Sequence, residues 1–171
     1  STYSYILQMT TLGFDVVLAT STTNASQVAP YKPDIVVATA GCGVVTKFSL
    51  LLDLYNQGYR IYSHGNDTHD IYPISSSVLL DPAPQSGDVS YWPFDHPIQQ
   101  GWYATYNSGT DRRYGITALV PGSTVIARDI VNGYIEVSYT EEPRKGRWFH
   151  IQPSPQPDNT LLNNGFFYLV R

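Results

Sequence analysis

Two imidazoles and two carboxylates fall within seven residues, at His64, Asp67, His69 and Asp70, the densest run of potential metal ligands in the chain. Zinc or manganese accepts donors of these types. The spacing matches no ligand pattern with a mechanical rationale, and Asn66-Asp67-Thr68 reads equally well as a helix cap or a turn, so no metal site is expected. Cys42 is the single cysteine, which excludes an internal disulfide and a cysteine-based zinc site. A reactive thiol needs exposure and a lowered pKa, and a small residue packed at a strand exit is the simpler reading of Cys42. Tyr91-Trp92-Pro93-Phe94 and Trp102-Tyr103, with Tyr106 and Tyr114, set aromatic faces near Asp and Asn side chains. Such a set suits sugar stacking or a protein contact, because Tyr and Trp offer area at low entropy cost. It equally suits rings that cover the core beneath a long loop. Asn66, Asp67, Tyr91, Trp92 and Trp102 are therefore the candidate ligand-binding side chains. Gly41-Cys42-Gly43 is too short for a phosphate-cradling loop, and no cofactor is expected.

The elements that must position these residues follow from periodicity. Tyr5 to Leu12 spaces apolar residues at helical intervals, and Gly13 stops the run as a helix C-cap would. Phe14–Ala19 is short, apolar and β-branched, and reads as a buried parallel strand. Residues 21–32 form a polar loop with room for one helical turn. Asp34–Thr39 is a second buried strand with a glycine-rich exit over Ala40–Gly43. Val44–Gln57 is the clearest helix, Gly58 its stop, and Tyr59–Ser63 the returning strand that ends at His64-Gly65. Residues 66–115 form an irregular, aromatic-rich insertion. Strands are then expected over Ile116–Val120, Thr124–Ile130, Tyr134–Thr140 and Arg147–Gln152, with turns at Pro121-Gly122 and Asn132-Gly133. Glu141-Glu142 beside Arg144-Lys145 reads as a solvated hairpin end. Pro153, Pro155 and Pro157 bar regular structure before a last helix over Asn159–Val170.

This pattern predicts one domain over residues 1–171: an α/β half (1–65), the insertion (66–115), and a β-rich half with a C-terminal helix (116–171). The fold class is α/β, a flavodoxin-like three-layer sandwich whose mostly parallel sheet carries an antiparallel extension. That order opens with a central strand before the first helix. Either residues 2–7 are that strand, or it lies upstream of Ser1, and the helical spacing favours the second reading. An upstream segment or another chain must then complete the sheet, because a vacant central slot leaves two unsatisfied edges.

Composition narrows the function classes. Of 171 residues, 42% are hydrophobic and only 14% charged, which excludes a disordered chain or a charged helical array. A net charge of -4 argues against a nucleic-acid partner, and no apolar run is long enough for a membrane span. Tyrosine is abundant, with 14 residues, while Lys and Glu are scarce. That polarity, two glycosylation sequons (Asn24-Ala25-Ser26 and Asn66-Asp67-Thr68) and a start at Ser1 fit a processed piece of an extracellular, cell-surface or virion protein.

The segment order resembles the class I glutamine amidotransferase-like superfamily, including its trehalose-utilisation-type branch. Leu12-Gly13-Phe14-Asp15-Val16 is similar to the family's helix-to-strand passage. Lys32-Pro33-Asp34-Ile35-Val36-Val37, followed by Gly41 and Gly43, is similar to its strand and glycine turn. Arg60-Ile61-Tyr62-Ser63-His64-Gly65 stands where the family has its nucleophile elbow. Asp95-His96-Pro97-Ile98 with Gly101 resembles a segment of the trehalose-utilisation-type branch, and Gly146–Gln152 resembles the family's late strand. The resemblance implies that Ser63 replaces the catalytic cysteine, with His64 or His150 as base and Gly41 or Gly43 as backbone donors. It also implies a degenerate triad, because Gln152 replaces the expected Glu. An amide orients an imidazole but cannot stabilise an imidazolium by charge, a loss of on the order of 10⁴ in rate when a triad carboxylate is removed.

The expected function is accordingly a non-catalytic binding or structural module of a larger protein, with carbohydrate or protein as partner. One alternative is a serine hydrolase of amides or esters using Ser63 with His64 or His150. A second is an inactive amidotransferase-like subunit that docks to a partner.

Overall fold

A computed structural model describes residues 2–19, 23–38, 44–64, 78–79, 88–93, 96–101, 105–107, 115–129, 133–151 and 160–171. The first helix, α1 (Thr2–Thr11), closes with its threonines turned back onto the previous turn: Thr10 donates to the Ile6 carbonyl at 2.7 Å and Thr11 to Leu7 at 2.8 Å. Helix α2 (Ala25–Val28) is a single turn begun by a capping box between Asn24 and Gln27, and runs into a 3₁₀ turn at Ala29–Tyr31. Strand β1 (Val36–Ala38) leads to α3 (Val44–Asn56) and β2 (Arg60–His64). Gly58, at φ +100°, makes the passage from α3 to β2, with the Tyr59 amide reaching the Leu54 carbonyl at 3.0 Å. A side chain there would be strained in the left-handed region.

The later elements are β3 (Val78–Leu79), β4 (Asp88–Pro93), a 3₁₀ turn at Pro97–Gln99, β5 (Thr105–Asn107), β6 (Gly115–Ile116), β7 (Ser123–Asp129), β8 (Ile135–Glu141), β9 (Arg147–Ile151) and α4 (Thr160–Val170). The main sheet runs β1-β2-β9-β8-β7-β4-β5, and β3 pairs separately with β6. Strands β1, β2 and β9 are parallel, and from β9 outward every pairing is antiparallel. This is the expected α/β sheet with an antiparallel extension.

Strand alternation sends apolar side chains to both faces, and helices cover each. On one face Tyr62, Val137, Phe149 and Ile151 pack with Leu161, Leu162, Phe166 and Leu169 of α4, joined by Met9 and Leu12 of the α1 segment. A hydrogen bond between Gln8 and Asn163 ties α1 to α4. The opposite face packs Ile61 and Trp148 against Leu51, Leu54 and Tyr55 of α3, with Ala25 and Val28 of α2 at its border. Helix α4 approaches β9 closely: a Cβ at Gly165 would fall 1.9 Å from the Phe149 ring, so that position has no room for alanine.

Residues 2–7 belong to a helix, as the helical spacing predicts, and are not the opening central strand. Three expectations need correcting. Phe14–Ala19 joins no ladder, and Val17 and Leu18 are 61% and 69% exposed; the apolar run lacks a neighbouring strand to pair with among the described residues. The insertion is more regular than its sequence suggests, because β4 adds to the main sheet along β7, with Trp92 opposite Arg128. Of the strand expected at 116–120 only Ile116 lies in the β6 ladder, where it pairs with Val78 of β3.

Candidate functional site

The register of the parallel strands sets Ser63 directly beside His150. Both side chains point to the α3 face, where Ile61 and Trp148, two residues earlier on each strand, also lie. Ser63 Oγ and His150 Nδ1 are 2.7 Å apart, and Trp148 Nε1 donates to the same Oγ at 2.7 Å. The indole can only donate, so the hydroxyl accepts from it and gives its single proton to Nδ1 when the imidazole carries its own proton on Nε2. Both functions of the Ser63 hydroxyl are then used within the protein. Trp148 is itself held edge-on by Tyr55, with centroids 5.4 Å apart, and Tyr55 donates to Glu142 Oε2 at 2.9 Å.

Burial is complete: Ser63 is 0% and His150 1% exposed. Ser63 is paired in register with Ala38 on one side and His150 on the other, inside a strand rather than on a turn after it. His64 follows on the opposite side of the pleat. Burial pushes its imidazole down to about 3, and the nearby charge of His150 adds to the shift, so His64 is neutral and a very weak base.

On the far side of β9, Ser138 is the register partner of His150, which extends the polar row from Ser63 across three adjacent strands. Two residues along β8 from Ser138 stands Glu136, buried at 3% exposure. It shares the face of Ser138 and is therefore diagonal to His150. Sequence reasoning missed this carboxylate. The available signal was a lone acid in the apolar strand run Tyr134–Thr140. Alternation back from Thr140 and Ser138 puts Glu136 opposite Val137 and Tyr139, and the register with β7 shifts at Glu136, so that Ile135 packs on the α3 side.

The structure thus joins Ser63 and His150 and sets His64 beside them in sequence but on the other face. Gln152, Gly41, Gly43, Cys42, Asn66, Asp67, His69, Asp70 and Trp102 lie outside the described residues. Tyr91 and Trp92 belong to β4, on the antiparallel extension, separated from β9 by β8 and β7. Among the described residues no group of three or more His, Cys, Asp or Glu is placed to hold a metal ion, and no helix is long and apolar enough to cross a membrane.

No protein-family model matches the chain. No curated protein matches it either. Its structure is similar to a crystal structure from Thermoplasma acidophilum, provisionally described as a subunit of GMP synthase, with a TM-score of 0.69 over 93% of this chain and 83% of that one. At 14% identity the likeness is one of fold. It agrees with the flavodoxin-like α/β architecture expected from the segment order.

Proposed function

We propose that this chain is a non-catalytic module on a glutamine amidotransferase-like scaffold, acting by binding or structural contact within a larger secreted, surface or virion protein. The observation that carries this reading is the state of Ser63. A nucleophile must present a free lone pair to an incoming carbonyl carbon, and its base must be able to accept the displaced proton. Here the hydroxyl is sealed in mid-strand with no exposed surface, and an indole N–H already occupies its oxygen. His64 is too weak a base to replace His150. The contacts satisfy the Ser63 hydroxyl, the Trp148 N–H and His150 Nδ1, which is what such groups require inside a sheet. The partner in this reading is protein or carbohydrate.

A serine-directed fluorophosphonate applied to the purified chain tests this directly. The wild type should remain unlabelled. Labelling that disappears in Ser63→Ala would overturn the proposal. Glycan-array binding lost in Trp92→Ala or Trp102→Ala would identify carbohydrate as the partner.

One observation favours a second reading, a serine hydrolase of amides or esters. The 2.7 Å contact between Ser63 and His150 has the length of a nucleophile–base pair, and Glu136 adds a carboxylate on the same face. In that reading Glu136 substitutes for the acid absent at Gln152. Loss of probe labelling in Glu136→Gln as well as Ser63→Ala would be its signature.

A further inference from the structure

Where β2 and β9 begin, at the opposite end of these strands from Ser63 and His150, the register sets Arg60 directly beside Arg147. Like charges at paired strand positions repel. Arg147 is already committed. Its Nε lies 3.5 Å from Glu141, its register partner on β8, and its Nη1 donates to the carbonyls of Leu169 at 3.1 Å and Arg171 at 2.9 Å. Glu141 is shared again, with Arg171 at 3.4 Å.

These strand starts border a recess of about 560 Å³, a volume in the range of small-molecule sites. Arg60, Arg144, Lys145 and Arg147 line it, four of the chain's 10 Lys and Arg, against two of its 14 acids, Glu141 and Glu142. Glu142 is also engaged, accepting from Tyr55 at 2.9 Å and lying 3.5 Å from Lys145. In a chain of net charge -4, this concentration of cations is a local feature. The loop between β8 and β9 is firmly seated. Gly146 donates to the Tyr55 carbonyl at 2.8 Å, and a Cβ there would fall 1.7 Å from the Tyr59 carbonyl oxygen. The Lys145 amide closes a turn onto the Glu142 carbonyl at 3.2 Å, and Arg144 sits in that turn at φ +65°. Glycine suits this left-handed position best, yet a guanidinium stands there, against the recess.

We propose that the recess binds the phosphate group of a small molecule, held by the guanidinium groups of Arg60 and Arg144. Two considerations select phosphate. The planar guanidinium fork pairs with phosphate oxygens through two parallel hydrogen bonds. A phosphate dianion also matches the excess of two cations over carboxylates in the lining, whereas a single carboxylate leaves one charge uncompensated. The site lies at the other end of the strands from Ser63, so it stands or falls separately from the reading of the buried cluster.

The test is titration of the intact, ¹⁵N-labelled chain with inorganic phosphate and with phenyl phosphate at constant KCl. Binding should saturate with a Kd on the order of 1 mM or tighter, and amide shifts should gather at residues 58–60 and 141–147. Tighter binding of phenyl phosphate assigns an ester as the ligand, and tighter binding of inorganic phosphate assigns the free ion; either supports the proposal. Arg60→Met keeps the apolar stem and should weaken binding roughly tenfold. Arg144→Gly should weaken it as much while the urea midpoint stays equal or rises, because glycine is at ease at that φ. Arg128→Ala, on β7, should leave the Kd unchanged. The proposal is overturned if neither compound saturates, or if the shifts gather elsewhere. It is equally overturned if Arg128→Ala weakens binding as much as Arg144→Gly, which would make the response one of net charge.

Discussion

The centre of the sheet and its β1 side are built from similar residues and end in different states. Ile61, Tyr62, Trp148 and Phe149 are fully buried, while Val36–Ala38 is half-buried and Val17 and Leu18 are 61% and 69% exposed. Hydropathy does not distinguish the stretches. Neighbours do: β2 and β9 have a strand on each side and a helix layer on each face, whereas β1 has a strand on one side only among the described residues. A β-branched run is a buried strand only when the adjoining edge is filled. The same contrast applies to polar groups, since the central hydroxyl of Ser63 is satisfied by side chains at fixed distance.

If the centre is the closed region, acid should open it first, and this is the largest effect expected. The folded His64 value of about 3 lies below its unfolded 6.5, so between these limits the unfolded chain binds more protons. Stability is complete above pH 6.5 and falls as pH drops toward 3, by at most on the order of 4–5 kcal/mol at ~1.4 kcal/mol per unit. Denaturant midpoints at pH 7 and pH 4 measure the slope, and His64→Asn should flatten it. A slope unaltered in that variant would remove His64 as the cause.

Truncation should separate the two regions next. Phe149→Ala opens a cavity between Tyr62 and Phe166 and should lose about 3–5 kcal/mol in urea unfolding. Ser63→Ala leaves the Trp148 N–H and His150 Nδ1 without their present partner, and a loss of about 1–3 kcal/mol is expected. Leu18→Thr, on the exposed stretch, should change stability by less than about 0.5 kcal/mol. A loss of several kcal/mol there would mean that Phe14–Ala19 is already covered in solution.

Much of the scaffold was legible because local signals agreed with the tertiary result. Helix α3 has its apolar face and glycine stop, α4 follows the proline run, and β2, β7, β8 and β9 lie close to the expected spans. Strand β4 was not legible: Asp88–Pro93 ends in proline and lacks a clear period, and pairing with β7 makes it a strand. Phe14–Ala19 failed in the opposite sense, with strong local preference and no pairing partner among the described residues. Ser63 and His150 were singled out through a family resemblance. Their contact, and the role of Trp148 as donor, required the β2–β9 register.

The amino-acid order by itself determined where helices begin and end and which strands are apolar on both faces, because capping, glycine stops and periodicity act over a few residues. Only the tertiary structure decided which apolar runs are buried and which side chains meet the Ser63 hydroxyl. Those outcomes depend on groups 85 and 87 residues apart in the chain being brought to 2.7 Å by strand pairing. No local preference encodes that distance.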